Sequence, residues 1–401
     1  MKVWPLTSTH WSFKPAGWRR RQCALIFACI AGAAPIASAA PSRTLPPIDP
    51  VRDLRVELVD VSERTEERAV GLLRAVGDDS SQRCTGTAVA PFYVLTAAHC
   101  VLDEAGGPRR NVYFYPAYRH GHVASFGRFP ASQVFLPAGY NRSDMTTGGI
   151  SRDIALVRVG PNHAGDSLAT FAGVLPFQGL DSLPSSRMST VGYPSDKPSY
   201  SAYAQRRCTV REFGDILLQS ACFVEKGQSG SPVLIHRPDA FGYVVYGVLT
   251  GRSGKRNFAT PITPPRAYVL QTILETGRLP QGASDDVHEA WRTFPVATSP
   301  AITLFVENTC FEPIMVAYST YEGSGQWRTR GYYQVEPRQI RELVRSADKR
   351  YRLHIHNKHT RRLLQPWGEV LQQVPGSPGT SRFKDYDAEQ FGDIMHTPLG
   401  C

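Results

Sequence analysis

Between residues 69 and 251 the chain is broken into short apolar runs, each closed off by Gly, Pro, Asn or Asp. "AVGLLRAV", "CTGTAVA", "FYVLTAA", "NVYFYPAY", "SQVFLPA", "DIALVRV", "MSTVGYP", "ILLQSACFV", "SPVLI" and "YVVYGVLTG" follow one another in this way. Runs of this length, rich in β-branched and aromatic residues and separated by turn formers, pair into a barrel or sandwich. Long 3.6-period patterns are scarce. One helix is predicted over 265–277, where Tyr268, Leu270, Ile273 and Leu274 fall near helical spacing and Gly277 supplies a stop. The fold class read from this pattern is all-β.

A length of 401 residues is too long for one ordinary domain. A break follows the predicted helix, where "RLPQGASDDVHEA" reads as a linker, and a second β-rich segment starts near "AITLFVEN" at 301. The division expected is a leader or propeptide arm at 40–59, a first domain at 60–277, a linker at 278–299 and a β-rich accessory domain at 300–401. Residues 1–39 read as an export signal: "WRRR" gives a positive flank, "CALIFACIAGAAPIA" an apolar stretch, and "ASA" the small residues a signal peptidase needs. A membrane anchor is the competing reading, but the apolar stretch is short of the ~20 residues a stable span needs. Removal of the signal leaves Cys84, Cys100, Cys208, Cys222, Cys310 and Cys401, an even set suited to an oxidising, secreted or periplasmic location. Among the pairings these allow, local order favours Cys84 with Cys100, Cys208 with Cys222, and Cys310 with Cys401. The net charge of +10 is mild for this length and does not by itself establish a nucleic-acid partner.

A serine hydroxyl is a poor nucleophile at neutral pH and needs a base, a group that orients the base, and donors for the developing oxyanion. "LTAAHC" places His99 after a strand and beside Cys100; "SRDIALVRV" places Asp153 at the entry to an apolar strand; "KGQSGSPVL" flanks Ser229 with Gly227 and Gly230 in a turn that presents the hydroxyl and backbone N–H groups. Each piece alone is more often a packed histidine, a strand-edge aspartate or a glycine-rich turn. Together, in the order His, Asp, Ser, they point to acyl transfer.

On those residues the chain resembles the chymotrypsin-fold serine peptidases over roughly 60–277. The resemblance implies two antiparallel β-barrels with the site between them, His99 as general base, Asp153 as its orienting partner, Ser229 as nucleophile, and an oxyanion hole from the N–H groups of Gly227 and Ser229. It also implies a specificity pocket floored by Phe223 and Val224 and walled by Leu249, Thr250 and Gly251, with Thr250 placed to hydrogen-bond Asp153. Glu225 and Arg252 are within reach of its mouth. In animal trypsins an aspartate precedes the serine; Gln228 stands there and cannot form the activating ion pair. "GYPSDKP" with "SGSP" is similar to the bacterial branch that contains the glutamyl endopeptidases, yet Leu249 stands where that branch often has a histidine that binds glutamate. The pocket therefore favours an apolar or small residue.

The function expected is a secreted serine endopeptidase acting on proteins or peptides, with no cofactor and no metal. The alternatives are a catalytically silent peptidase-fold binding protein, or a polyanion or anionic-surface binder through the C-terminal domain. The latter rests on the basic stretch from Arg338 to Arg362, interleaved with Tyr351, for which a solvated face is the blander account. His354, His356 and His359, like His120 and His122, are weak candidates for metal binding. The stretch from 302 to 337 is similar to a small bacterial β-rich domain of unknown function, through Asn308, Thr309, Val316, Ala317, Trp327, Gly331, Tyr332, Tyr333 and Pro337.

Overall fold

The computed structural model describes residues 53–396 except 62, 77–80, 120–125, 163, 180, 198–200, 221, 239–241, 254–255, 281–288, 298–301, 323–324, 347–349, 365–369 and 388–393. The export signal, the first part of the expected arm, His120, His122 and Cys401 lie outside the described residues.

Fourteen strands build the first two-thirds of the described chain: β1 (Val56–Leu58), β2 (Val70–Val76), β3 (Ser81–Ala90), β4 (Tyr93–Thr96), β5 (Val112–Pro116), β6 (Phe129–Pro137), β7 (Ala155–Val159), β8 (Arg187–Gly192), β9 (Ala202–Phe213), β10 (Ile216–Ser220), β11 (Pro232–Arg237), β12 (Gly242–Ser253), β13 (Arg256–Pro261) and β14 (Trp291–Pro295). Strands β2 to β7 close into one barrel in the order β6-β5-β2-β3-β4-β7, sealed by the pairing of β6 with β7. Strands β8 to β13 close into a second, in the order β9-β10-β13-β12-β11-β8, sealed by β8 against β9. Closure pairs the first and last strands of each barrel with one another, leaving only the ends of the longer strands β6 and β9 open to a further partner. Leu73, Val94, Phe114, Val134 and Leu156 are among the residues filling the first, and Val210, Leu217, Val233, Tyr246 and Ala259 the second. The all-β class read from the sequence, and the double barrel implied by the resemblance, are the fold of this part of the chain.

Among the described residues four single-turn helices precede, interrupt or connect the barrels: α1 (Thr65–Arg68), α2 (Ala98–Val101), α3 (Thr147–Ile150) and α4 (Leu168–Phe171). The predicted helix is α5 (Pro264–Thr276), with proline in its first turn and Gly277 in the left-handed conformation as its cap. Its packed face differs from the predicted one. Val269, Leu270 and Ile273 are buried, whereas Tyr268 points outward at 52% exposure.

Two segments extend the barrel sheets. Val56–Leu58, expected in the leader arm, pairs antiparallel with Ala202–Ala204 of β9. Trp291–Pro295, expected in the linker, pairs with Gln133–Pro137 of β6. Each covers an exposed barrel edge, and neither has enough apolar alternation of its own to announce a strand.

The C-terminal part holds β15 (Ile302–Glu307), β16 (Ile314–Glu322), β17 (Gln326–Val335), β18 (Ile340–Ser346), β19 (Arg350–Asn357), β20 (Val370–Gln373), β21 (Thr380–Asp387) and β22 (Ile394–His396). They form a three-stranded sheet, β18-β15-β22, and a five-stranded sheet, β17-β16-β19-β21-β20. Leu304, Val306, Val316, Tyr318, Leu353 and Ile355 are at the centre of its core. This is the β-rich C-terminal part expected from the sequence. It meets the double barrel through Tyr118, whose hydroxyl donates to the fully buried Glu307 carboxylate at 2.8 Å, and through an ion pair between Arg338 and Glu57 of β1.

Candidate active site

Three short segments carry the candidate residues. Strand β4 ends at Thr96, Ala97 stays extended, and the single turn of α2 then carries His99. The disulfide from Cys100 to Cys84 of β3 anchors that turn. It closes a loop of 16 residues, a constraint on the unfolded chain worth ~3 kcal/mol in the loop-entropy account. Cys208 and Cys222 form the second disulfide, and Cys310 is also disulfide-bonded.

Asp153 follows α3, which is capped by the Thr146 hydroxyl accepting from Gly149 N–H, and precedes β7. The Thr260 hydroxyl steadies this corner by donating to the carbonyl of Ile150 at 2.6 Å and that of Asp153 at 3.3 Å. One Asp153 oxygen accepts from His99 Nδ1 at 2.7 Å and the other from His99 backbone N–H at 2.9 Å. Two contacts from one carboxylate fix both the ring and its backbone. They also fix the tautomer: Nδ1 carries the proton, and Nε2 is left as the basic nitrogen. The second side-chain partner of the carboxylate is Tyr140, whose hydroxyl is held in its protonated form by burial and by the Asp153 charge. Thr250, expected in that place, donates instead to the Phe258 carbonyl at 3.3 Å.

The third segment is the turn before β11. Gly227 and Gly230 have φ of 89° and 87°, a region that strains any residue with a Cβ. Close approach makes the same demand. A Cβ at Gly227 would fall 2.2 Å from the Tyr193 carbonyl oxygen, and one at Gly230 1.9 Å from that of Thr85. The turn is stitched to the first barrel by Thr85, which the motif reading missed. Its N–H donates to the Ser229 carbonyl at 2.8 Å, and its hydroxyl donates to the Gly227 carbonyl at 2.9 Å while accepting from Tyr193 N–H at 3.1 Å. Thr85 neighbours the disulfide that anchors His99, and Cys100 Sγ lies 3.7 Å from the Ser229 carbonyl oxygen. The serine and histidine segments thus share one anchor on β3.

Gln228, fully buried, accepts from Glu225 N–H through its side-chain oxygen at 2.9 Å. A neutral hydrogen bond therefore holds the turn where an ion pair was ruled out on sequence. Among the described residues the N–H groups of Gly227 and Ser229 have no acceptor. No hydrogen bond joins Ser229 to His99 among the described residues either.

Two cavities adjoin at Gly251. One, of about 180 Å³, is lined by His99, Asp153, Tyr140 and Thr250. The other, of about 210 Å³, is lined by Ser229 and by Val224, Leu249 and Gly251 from the expected pocket, with Glu225, Lys226 and Arg252 added. Arg252 pairs with Glu225 at 3.2 Å and donates to the Val224 carbonyl. Phe223 stands behind this wall, its ring 5.5 Å from the Arg252 guanidinium.

The remaining clusters are internally satisfied. Cys84, His99 and Cys100 have the composition of a metal site, but both sulfurs are spent in the disulfide. His354 and His356 donate through Nδ1 to the carbonyls of Arg382 and Asn357, flank Tyr332, and are held below the usual histidine range by burial. In the basic stretch, Arg350 stacks on Tyr321, Arg341 on Tyr333, and Arg352 on Trp327 while pairing with Asp385. No helix among the described residues is long and apolar enough to cross a membrane.

Parts of the chain are similar to known proteins. Residues 84–241 match the family model described as a trypsin-like peptidase domain. Serine protease 23 of Bos taurus is 31% identical over 171 residues, which is 39% of this chain and 44% of that protein. The glutamyl endopeptidase of Bacillus licheniformis is 26% identical over 150 residues, 37% and 44% of the two chains. The chain thus spans less than half the length of these curated relatives. A solved structure of a Glu endopeptidase in complex with MPD is 22% identical, with a TM-score of 0.45, covering 56% of this chain and 98% of its own. The double barrel around these three segments has the two-barrel arrangement of the chymotrypsin fold, and residues 84–241 are similar to a trypsin-like peptidase domain.

Proposed function

We propose that the chain is an exported serine endopeptidase working through His99, Asp153 and Ser229. The observation that carries this is the double contact of Asp153 with His99, which turns Nδ1 to the carboxylate and leaves Nε2 as the other ring nitrogen, in a segment anchored to the same strand as the turn bearing Ser229. Ser229 Oγ attacks the scissile carbonyl carbon as His99 Nε2 takes its proton. The N–H groups of Gly227 and Ser229 bind the oxyanion, and the amine leaves with the proton from His99. Water then enters, gives a proton to His99 Nε2 as its oxygen attacks the acyl carbon, and the acid is released as that proton returns from His99 to Ser229 Oγ. Asp153 stabilises the imidazolium in both halves. The formed disulfides fit the export reading, since such bonds persist in oxidising compartments.

Labelling with a fluorophosphonate tests the reading. Modification of Ser229 is expected, with peptide cleavage lost in proportion. A folded, unlabelled protein would leave the scaffold as a binding module without turnover.

The pocket beside Ser229 is proposed to take a small or apolar residue. Val224 and Leu249 line it, and the Arg252 charge is already matched by Glu225, so an acidic guest has to displace an existing pair. Cleavage of a diverse peptide library is expected to favour small and apolar residues on the acyl side of the cut bond. A dominant preference for glutamate there would overturn the assignment.

A further inference from the structure

Residues 53–60 lie on the surface, and Leu54, Val56 and Val59 are exposed apolar side chains. Arg55 is the exception, its side chain only 2% exposed. Its guanidinium spends Nε and Nη2 on the two Asp53 oxygens, both at 2.8 Å, and Nη1 and Nη2 on the two Asp196 oxygens at 2.6 and 2.7 Å. Its flat face rests on the Phe223 ring, 4.6 Å from the centroid. Forked, charge-assisted contacts of this kind fix a planar group in orientation as well as in place.

Phe223 is gripped elsewhere too. The buried Gln205 of β9 accepts from its N–H and donates to its carbonyl, at 3.1 and 2.8 Å. The same strand pairs with Val56–Leu58. Arg252, which lines the pocket beside Ser229, touches the same phenyl ring. Two guanidiniums can share one ring because each has its own carboxylates: Asp53 and Asp196 for Arg55, Glu225 for Arg252. Asp196 brings in the loop beneath the nucleophile turn, where Ser195 N–H donates to the Lys226 carbonyl at 2.7 Å, one residue before Gly227.

We propose that Arg55 is a positioning residue of the specificity pocket, and that Asp53–Leu58 is a working part of the peptidase domain rather than a leader to be discarded. The segment braces Phe223 and the 193–197 loop from behind, and the Arg338–Glu57 ion pair clamps it from the C-terminal domain. The mature chain therefore begins before Asp53. This rests on the proposed peptidase function for its kinetic consequence, but not for its structural one.

Arg55→Ala, Arg55→Lys and Asp196→Asn are compared with the unaltered protein, with rates normalised to the fraction labelled by a small fluorophosphonate that does not fill the pocket. Arg55→Ala is expected to lower kcat/KM for peptides about tenfold, mainly through KM, with labelling of Ser229 changed less than about twofold. Arg55→Lys keeps the charge without the fork and is expected to fall between the two. A kcat/KM for Arg55→Ala equal to that of the unaltered protein overturns the proposal. So does equal loss of labelling and cleavage in folded protein, which is what a merely structural role gives. If Arg55→Ala does not fold, Asp196→Asn decides: a raised KM supports the brace, and an unchanged KM rejects it. Mass mapping of the mature, exported protein is the arm independent of catalysis. Recovery of the peptide containing Arg55 is expected, and a mature chain starting beyond it overturns the proposal. An unlabelled unaltered protein would sink the peptidase reading alone and leave the mapping to decide this one.

Discussion

Replacing Ser229 with alanine is expected to lower kcat for peptide cleavage by about 10⁴- to 10⁶-fold while the fold is kept, and His99→Ala is expected to do the same. The size follows from the way the groups are coupled. A serine hydroxyl at neutral pH has almost no nucleophilic power without a base at hand. An imidazole without the serine has nothing to deprotonate except water held in the wrong place. Combining the two substitutions is therefore expected to add little to either alone, because each already removes the covalent route. Neither change disturbs the anchors. Ser229 reaches Thr85 through its backbone carbonyl, and the turn of α2 is held by the Cys84–Cys100 disulfide. The thermal midpoint should stay within a few degrees of its original value, and comparison of steady-state rates with melting curves provides the check. A near-normal rate in either variant would overturn the assignment.

The barrels and these three segments were legible in the sequence for a local reason. Short apolar runs closed by Gly, Pro and Asn encode strands and turns by composition alone, and His99, Asp153 and Ser229 stand in the short polar breaks between such runs. What sequence reasoning missed depends on contacts between distant segments. Thr85 is an ordinary β-strand residue until the fold sets it against the turn that carries Ser229, 144 positions later. Tyr140 rather than Thr250 shares the Asp153 carboxylate, a choice made by loop geometry and not by residue type. Arg55 sits in a charge-dense, exposed stretch that reads as a detachable arm, because its partners Asp196 and Phe223 are remote in sequence. Likewise "WRTFP" has too little alternation to be told from a linker before β6 offers it an edge.

The second large effect is expected from Gly227→Ala, which adds one methyl group at a position that does no covalent chemistry. Gly227 has a φ of 89°, where a residue with a Cβ is strained by roughly 1–2 kcal/mol, and the new carbon would lie 2.2 Å from the Tyr193 carbonyl oxygen. That oxygen belongs to backbone whose N–H is tied to the Thr85 hydroxyl, so it has little freedom to retreat. The peptide at Gly227 rotates instead, and its N–H leaves the position from which it can bind an oxyanion. Loss of one such donor costs about 10²- to 10³-fold in kcat, because the donor acts on charge that appears only as the tetrahedral intermediate forms. KM should change little, since the ground-state carbonyl makes weaker use of the same hydrogen bond. Thr85→Val tests the same turn more gently: it removes the hydroxyl that donates to the Gly227 carbonyl and accepts from Tyr193 while nearly preserving volume, and should cost about tenfold in kcat. The two results have to be ordered. A Gly227→Ala protein that folds and turns over at the original rate would mean that the oxyanion is bound somewhere other than at this turn. An effect of Thr85→Val exceeding that of Gly227→Ala would mean that the threonine does more than hold the glycine in place.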